Sequence, residues 1–258
     1  MKKKILAIFT LIITICSIFA LTACGDKTTP AGNGDAGKGD SDFNFSPITS
    51  EKLTTEEWTK AFNPSNEKNY SVVFDVNIQN TTINGKAQGK MKRDNDVFYE
   101  YRYEYYKDKN MKKSQEEYKY NKNDIWYKGS RSEGTGIETQ VKVDEIPYDP
   151  TEQGDSHRVG LDMSVFMWLS MATDINQGIR QYRYNFENAK YDESIKQYVI
   201  TEVGTDINGT NRTIISKIIF KDKKFAQAFV FVDGKEMVRF NATFGGTKIS
   251  IPDWAMKK

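Results

Sequence analysis

Cysteine and histidine are almost missing from this 258-residue chain. The two cysteines, Cys16 and Cys24, both fall in the first 24 residues, so everything after them folds without a disulfide and offers no thiolate to a metal or a substrate. The single histidine, His157, sits in an irregular stretch between Pro147 and Gly160 and reads as a solvated loop side chain. That excludes a His-rich metal centre and a two-histidine acid–base site. A serine-centred strand-to-helix elbow is lacking too. No cofactor is expected, and the inventory points away from an enzyme, although plentiful carboxylates leave a glycoside-hydrolase pair open.

An excess of positive charge is also lacking. The chain carries 37 Lys and Arg against 35 Asp and Glu, a formal +2. Loss of Lys2, Lys3 and Lys4 with the leader leaves 37 − 3 = 34 bases against 35 acids, near −1. The electrostatic footprint of a nucleic-acid binder is absent. So are the alternating β and α units of a two-lobed solute receptor.

What is present begins with Met1-Lys2-Lys3-Lys4 and an apolar run over residues 5–20, broken by Thr10, Thr14, Cys16 and Ser17. The run is close to the ~18–20 residues that span a bilayer, so a membrane helix and a signal peptide both fit it. Leu21-Thr22-Ala23-Cys24 separates the two, because it resembles a bacterial lipobox. The resemblance implies cleavage after Ala23 and a lipidated Cys24 as the first residue of a protein held at the extracytoplasmic face of a membrane. A diacylglyceryl thioether supplies two acyl chains at ~0.8 kcal/mol per buried methylene, where one chain binds only marginally. Residues 1–23 are thus expected to be signal peptide, 24–46 a lipidated cysteine and flexible linker, and 47–258 a single domain. The linker is rich in Gly, Asp, Thr and Lys and buries too little to offset its ordering entropy. Its near-match to a phosphate-binding loop at residues 32–39 has Gly39 where Ser or Thr must ligate magnesium.

In the domain, residues 54–62 predict a helix capped by Thr54, with Glu56 and Glu57 at its positive end and Leu53, Trp58, Ala61 and Phe62 on one side. From residue 70 the period becomes two. Tyr70, Val72, Phe74, Val76 and Ile78 form one face, and Asn84-Gly85, read as a hairpin turn, sets Thr82 opposite Ala87 and Ile78 opposite Met91. A three-residue loop at 94–96 brings Val97, Tyr99, Tyr101, Tyr103 and Tyr105 to the face of Met91. Four-residue loops at 107–110 and 121–124 set Tyr99 by Tyr118, Val97 by Tyr120, Tyr118 by Tyr127 and Tyr120 by Ile125. This tyrosine field has two readings: a concave wall for a ligand, and ordinary sheet core. Further strands are expected at 137–146, 182–190, 197–203, 225–232 and within 244–252. Asn208-Gly209 pairs Val203 with Ile214 and Val199 with Ile218, and Asp233-Gly234 pairs Phe229 with Val238 and Phe225 with Ala242. The strand at 225–232, apolar on both faces, is expected to be central.

Residues 162–172 predict a helix capped by Asp162 and apolar on nearly every side, with Met163, Met167 and Met171 at i, i+4 and i+8. Such a helix is expected to be buried on more than one side. Methionine stripes recur at adaptable apolar binding surfaces; the competing reading is a helix that plugs the core. The candidate ligand-binding residues are Tyr99, Tyr101, Tyr118, Met163, Phe166, Met167 and Met171, with Cys24 as the lipid attachment site.

This order of elements over about residues 48–252 resembles the half-barrel of the periplasmic lipoprotein carriers and the mycobacterial cell-surface lipoproteins related to them. The resemblance implies a curved antiparallel sheet enclosing an apolar cavity for acyl chains, here between the tyrosine field and the helix at 163–172. The expected fold is mainly β (α+β): a single curved antiparallel sheet, an N-terminal helix, and a central apolar helix packed on the concave face. The expected function is a membrane-anchored extracytoplasmic lipoprotein that binds a lipid or other apolar ligand. The alternative is a ligand-free envelope scaffold whose polar sheet exterior, around Glu100, Arg102, Glu104, Glu116 and Glu117, meets a protein or a wall polymer. The partners are membrane lipid through Cys24, an apolar ligand and an unidentified protein.

Overall fold

The period-two stretches become strands of one sheet. In the computed structural model they are β1 (Asn69–Gln79), β2 (Asn84–Asp94), β3 (Val97–Tyr106), β4 (Met111–Lys122), β5 (Ile125–Gly134), β6 (Ile137–Ile146), β7 (Lys190–Asp192), β8 (Gln197–Thr205), β9 (Asn211–Lys221), β10 (Lys224–Val232) and β11 (Lys235–Phe244). Two helices are present among the described residues, α1 (Thr55–Ala61) and α2 (Leu161–Ala172). The structure describes residues 43–63, 67–147, 160–175 and 184–258; the leader, Cys24, the linker to residue 42, His157 and Tyr182 lie outside them. None of the described helices is long and apolar enough to cross a membrane.

The protein is mainly β, an open antiparallel sheet that curves round the helices. Its strand order is β6-β5-β4-β3-β2-β1-β11-β10-β9-β8-β7. Two meanders therefore meet at a seam, where Tyr70 lies opposite Phe244 and Val76 opposite Val238. As expected, β10 is internal and is buried on both faces from Phe225 to Val230.

Both helices pack on the face carrying Tyr70, Val72, Phe74, Val76 and Ile78. In α1 the Glu57 N–H donates to Thr54 Oγ1 (3.3 Å) while the Thr54 N–H donates to Glu57 Oε2 (3.0 Å), a reciprocal cap that satisfies two end donors. Trp58 then enters the core, where its indole N–H donates to the Tyr184 carbonyl (2.6 Å). The Phe62 carbonyl, just past α1, accepts from Leu161 N–H (2.9 Å) and so fixes the start of α2. Leu161, Val165, Phe166, Leu169 and Ala172 form the buried side of α2. Gly89 is needed beneath it: a Cβ there would overlap the Phe74 ring, which stacks on Trp168 at 3.9 Å between centroids.

Several expected registers are corrected by turn chemistry. Asn84-Gly85 is not a turn: Asn80 Oδ1 accepts from the N–H groups of Thr82 and Ile83, closing the loop earlier, so Gln79 faces Asn84 and Val72, not Ile78, faces Met91. Between β2 and β3 only Asn95 and Asp96 are unpaired, with Asn95 at φ 54°. One residue fewer than expected puts Glu100, not a tyrosine, opposite Met91. Tyr99 does face Tyr118 and Val97 faces Tyr120. The two-residue turn at Asn123 and Asp124 sets Tyr120 opposite Tyr127 and Tyr118 opposite Gly129.

In the second meander, Asp206 Oδ1 accepts from Asn208 and Thr210 N–H (both 2.9 Å), so Val203 faces Thr213 and is 69% exposed. Val199 faces Lys217, not Ile218. The Asp233-Gly234 turn forms as expected, but a bulge beyond it moves Phe229 opposite Arg239 and leaves Val238 opposite Val230. Residues 184–189 form no strand, only a 3₁₀ turn at Phe186–Asn188 before β7, and residues 245–252 are likewise without one.

Candidate functional site

The seven expected ligand residues do not meet. The register places Tyr99 and Tyr101 opposite Lys92 and Lys90, on the face of the sheet away from α2. Tyr118 shares that face through its pairing with Tyr99. There the C-terminal segment packs against Tyr118 and its neighbour Tyr120. Trp254 packs edge-on against Tyr118 at 5.6 Å, and Tyr120 Oη donates to the Ala255 carbonyl (3.2 Å) and accepts from Lys257 N–H (2.8 Å). Burial, with Glu116 beside them, holds the Tyr99 and Tyr118 phenols above their ordinary range, and Tyr118 Oη donates to Glu116 Oε1 (3.0 Å). Tyr101 is raised by burial as well, then by Tyr103, Glu116 and Glu133. Tyr118 is thus a neutral hydrogen-bond donor packed under the C-terminal segment, beside the half-buried Tyr99 and Tyr101.

On α2, Phe166 is a core residue, whereas the methionine stripe points away from the core. Met167 is 43% exposed, and Met163 and Met171 are half-buried. As expected, the helix is buried on more than one side: seven of its twelve residues are buried, and only Met167 and Ser170 are exposed. Its start is different: the N-cap position is Gly160, and the buried Asp162 lies inside the first turn and accepts from Met163 N–H (2.8 Å). The tyrosines and methionines occupy opposite faces of the sheet, and the α2–sheet interface is filled by Val165, Leu169 and Ala172 against Phe74 and the strands beside it.

The polar residues expected on one exterior divide in the same way. Glu100, Arg102, Glu104 and Glu117 are on the α2 side and Glu116 is on the tyrosine side. Arg102 lies over the Trp168 ring (4.9 Å), donates to Met171 Sδ (3.3 Å) and pairs with Glu104, whose carboxylate also accepts from Tyr106 Oη. This network ties α2 to β3.

A groove that the pattern of the sequence does not announce opens on the outer face at the seam. It has a volume of about 510 Å³. Its floor is the row Lys92, Ser71 and Thr243 across β2, β1 and β11, with Val73 and Asn241 in the next row. One wall is the loop Gly245-Gly246-Thr247-Lys248 and the other is Asn44. Asn69 holds the loop: its Oδ1 accepts from Thr247 N–H (2.7 Å), its Nδ2 donates to the Thr247 carbonyl (2.8 Å), and its own carbonyl accepts from Gly245 N–H (2.9 Å). Asn241 Nδ2 donates to the Asn44 carbonyl (3.0 Å) and fixes the other wall.

Among the described residues the lining offers two ammonium groups, three hydroxyls and two carboxamides, and no carboxylate. Asp94 stands outside it, 3.9 Å from Lys248, with its oxygens engaged by Asn69, Asn95 and Ile249. Such a set holds an anion bearing hydroxyls, with lysines as point charges and the neutral groups as adaptable donors and acceptors. Among the described residues no group of three or more His, Cys, Asp or Glu is arranged to hold a metal ion. Compared with protein-family models the chain matches none, and no curated protein is significantly similar to it.

Proposed function

We propose that the chain is a membrane-anchored extracytoplasmic lipoprotein, tethered through Cys24, whose domain is a non-enzymatic binding module for an anionic polyol of the cell envelope. The observation that carries this reading is the groove whose described lining sets Lys92 and Lys248 among hydroxyls and carboxamides. The place where the tether enters supports it: Asn44, in the groove wall, is twenty residues from Cys24, a reach of at most roughly 70 Å when extended. The groove then lies within the envelope layer next to the bilayer. The sheet exterior thus serves as the polymer-facing surface of a scaffold lipoprotein. The filled α2–sheet interface speaks against an acyl chain held beneath α2.

Titration calorimetry of the full chain with a soluble glycerol-phosphate oligomer tests this reading. Binding is expected to weaken about tenfold in Lys92→Ala/Lys248→Ala and to fall with added salt, as exposed charge pairs do. Equal affinity for glycerol, or an unchanged double variant, refutes it. Labelling with radioactive palmitate is expected to be lost in Cys24→Ala; persistence of the label removes the anchor from the reading.

A further inference from the structure

The two ends of the sheet are unlike. At one end β7 has three residues; at the other β6 runs for ten, and among the described residues its strand neighbour is β5 alone. An edge of this length presents a row of unpaired N–H and C=O groups, which other proteins blunt with inward charges, prolines or bulges. Here a bulge and a proline stand only at the ends of the strand, and the inward charges between them, Lys142 and Asp144, are of opposite sign. A bulge falls where Gly134 faces Ile137 and Ser132 faces Gln140, and Pro147 follows Ile146. Between them residues 140–146 form an uninterrupted strand in which Gln140, Val141 and Lys142 are exposed, Val141 at 51%.

That segment is complementary to itself. Gln140, Lys142, Asp144 and Ile146 share the α2 side of the sheet, and Val141, Val143 and Glu145 share the other. Set two copies antiparallel about Val143, and Val143 meets Val143. Lys142 of each copy then meets Asp144 of the other, giving two reciprocal ion pairs, while Gln140 meets Ile146 and Val141 meets Glu145. Lys142 Nζ and Asp144 Oδ2 already lie 2.9 Å apart within one chain, on exposed side chains that are free to exchange partners. A shift of the register by two residues in one direction puts Lys142 against Lys142, and in the other direction puts Asp144 against Asp144; opposite charges facing one another across strands stabilise a register and like charges oppose it. The low net charge of the chain adds little repulsion between copies.

We propose that β6 is a self-association edge, through which two copies of this protein pair residues 140–146 antiparallel about a two-fold axis at Val143 and join their sheets into one. The contact is isologous, so it closes at two copies and leaves both β7 ends apart. Facing Cα atoms in such a ladder are about 4.5–5.5 Å apart, within the range a disulfide spans. The chain beyond Cys24 contains no cysteine of its own.

Two experiments on the full chain in density-matched detergent test the pairing. Under mild oxidation Val143→Cys is expected to form a disulfide-linked dimer, whereas Val141→Cys, whose two copies are offset by four residues, is not. In sedimentation velocity Lys142→Asp is expected to dissociate about tenfold more readily than the parent, and Lys142→Asp/Asp144→Lys is expected to recover the parent value. Circular dichroism melting of each variant checks that the exposed substitutions leave the fold intact. A parent that stays monomeric at every concentration, cross-linking that is equal at positions 141 and 143, or a charge swap that does not recover association overturns the proposal.

Discussion

Leu169→Ala and Met167→Ala lie two positions apart on α2 and distinguish a helix that packs through its aliphatic side from one that uses its methionines. Leu169 is 1% exposed and belongs to the core formed with the sheet. Trimming it removes three carbons, about 2.4 kcal/mol at ~0.8 per methylene. A cavity term is added because the strands beneath cannot collapse fully into the gap, and buried Leu→Ala changes total about 2–5 kcal/mol. Met167, 43% exposed, loses few contacts, and surface changes stay within about 0.5 kcal/mol. For a domain of this size each kcal/mol moves Tm by about 2–4 °C. Leu169→Ala is therefore expected to lower Tm by roughly 4–20 °C and Met167→Ala by less than about 2 °C. Calorimetry of the full chain reads both, and urea titration with an unchanged slope shows that the effect is on stability. Equal shifts, or a larger one for Met167→Ala, refute the orientation of α2.

Two further outcomes are expected. A Cβ at Gly129 would lie 2.6 Å from Ala255 Cα, so Gly129→Ala lifts the turn Asp253–Ala255 off the tyrosine face. Hydrogen exchange at residues 255–258 should accelerate and stability fall by about 1–3 kcal/mol; unchanged exchange contradicts the contact. Burial raises the Glu202 carboxyl above its ordinary 4.5. The folded state therefore holds the proton more tightly than the unfolded one, and this group's contribution to stability falls as pH rises through that window. Glu202→Gln should leave the urea midpoint unchanged at pH 3.5 and raise it at pH 7; an equal gain at both removes the effect of burial.

The parts of the fold legible in the sequence are those decided by neighbours in the chain. Thr54 and Glu57 announce their cap, and the alternation from Tyr70 to Ile78 announces a one-sided strand. The turn before β4 has the expected length, so Tyr99 meets Tyr118. Elsewhere side-chain oxygens chose the turns. Asn80 closes its loop ahead of the Asn-Gly pair, and Asp206 caps the next Asn-Gly into a longer loop. Because strand faces alternate residue by residue, the single residue missing at Asn95-Asp96 moved the whole tyrosine row to the other side of the sheet. The groove was illegible for a different reason. Lys92 and Lys248 meet only because β1 pairs with β11, and no local pattern encodes that pairing.

That seam also sets an order of events. β1 is among the first strands to be made and β11 is the last, so one neighbour of β1 arrives only when the chain is nearly complete. The buried side of α2 packs against β1 and β11 together. A polypeptide made from its N-terminus therefore carries an uncovered apolar helix and a raw central edge until its final strand emerges. Pairing between such distant segments is slow, and incomplete chains present the exposed edges and apolar surface that proteases and chaperones recognise. Closing the seam is thus a checkpoint of synthesis, at which a finished molecule becomes distinguishable from a broken one.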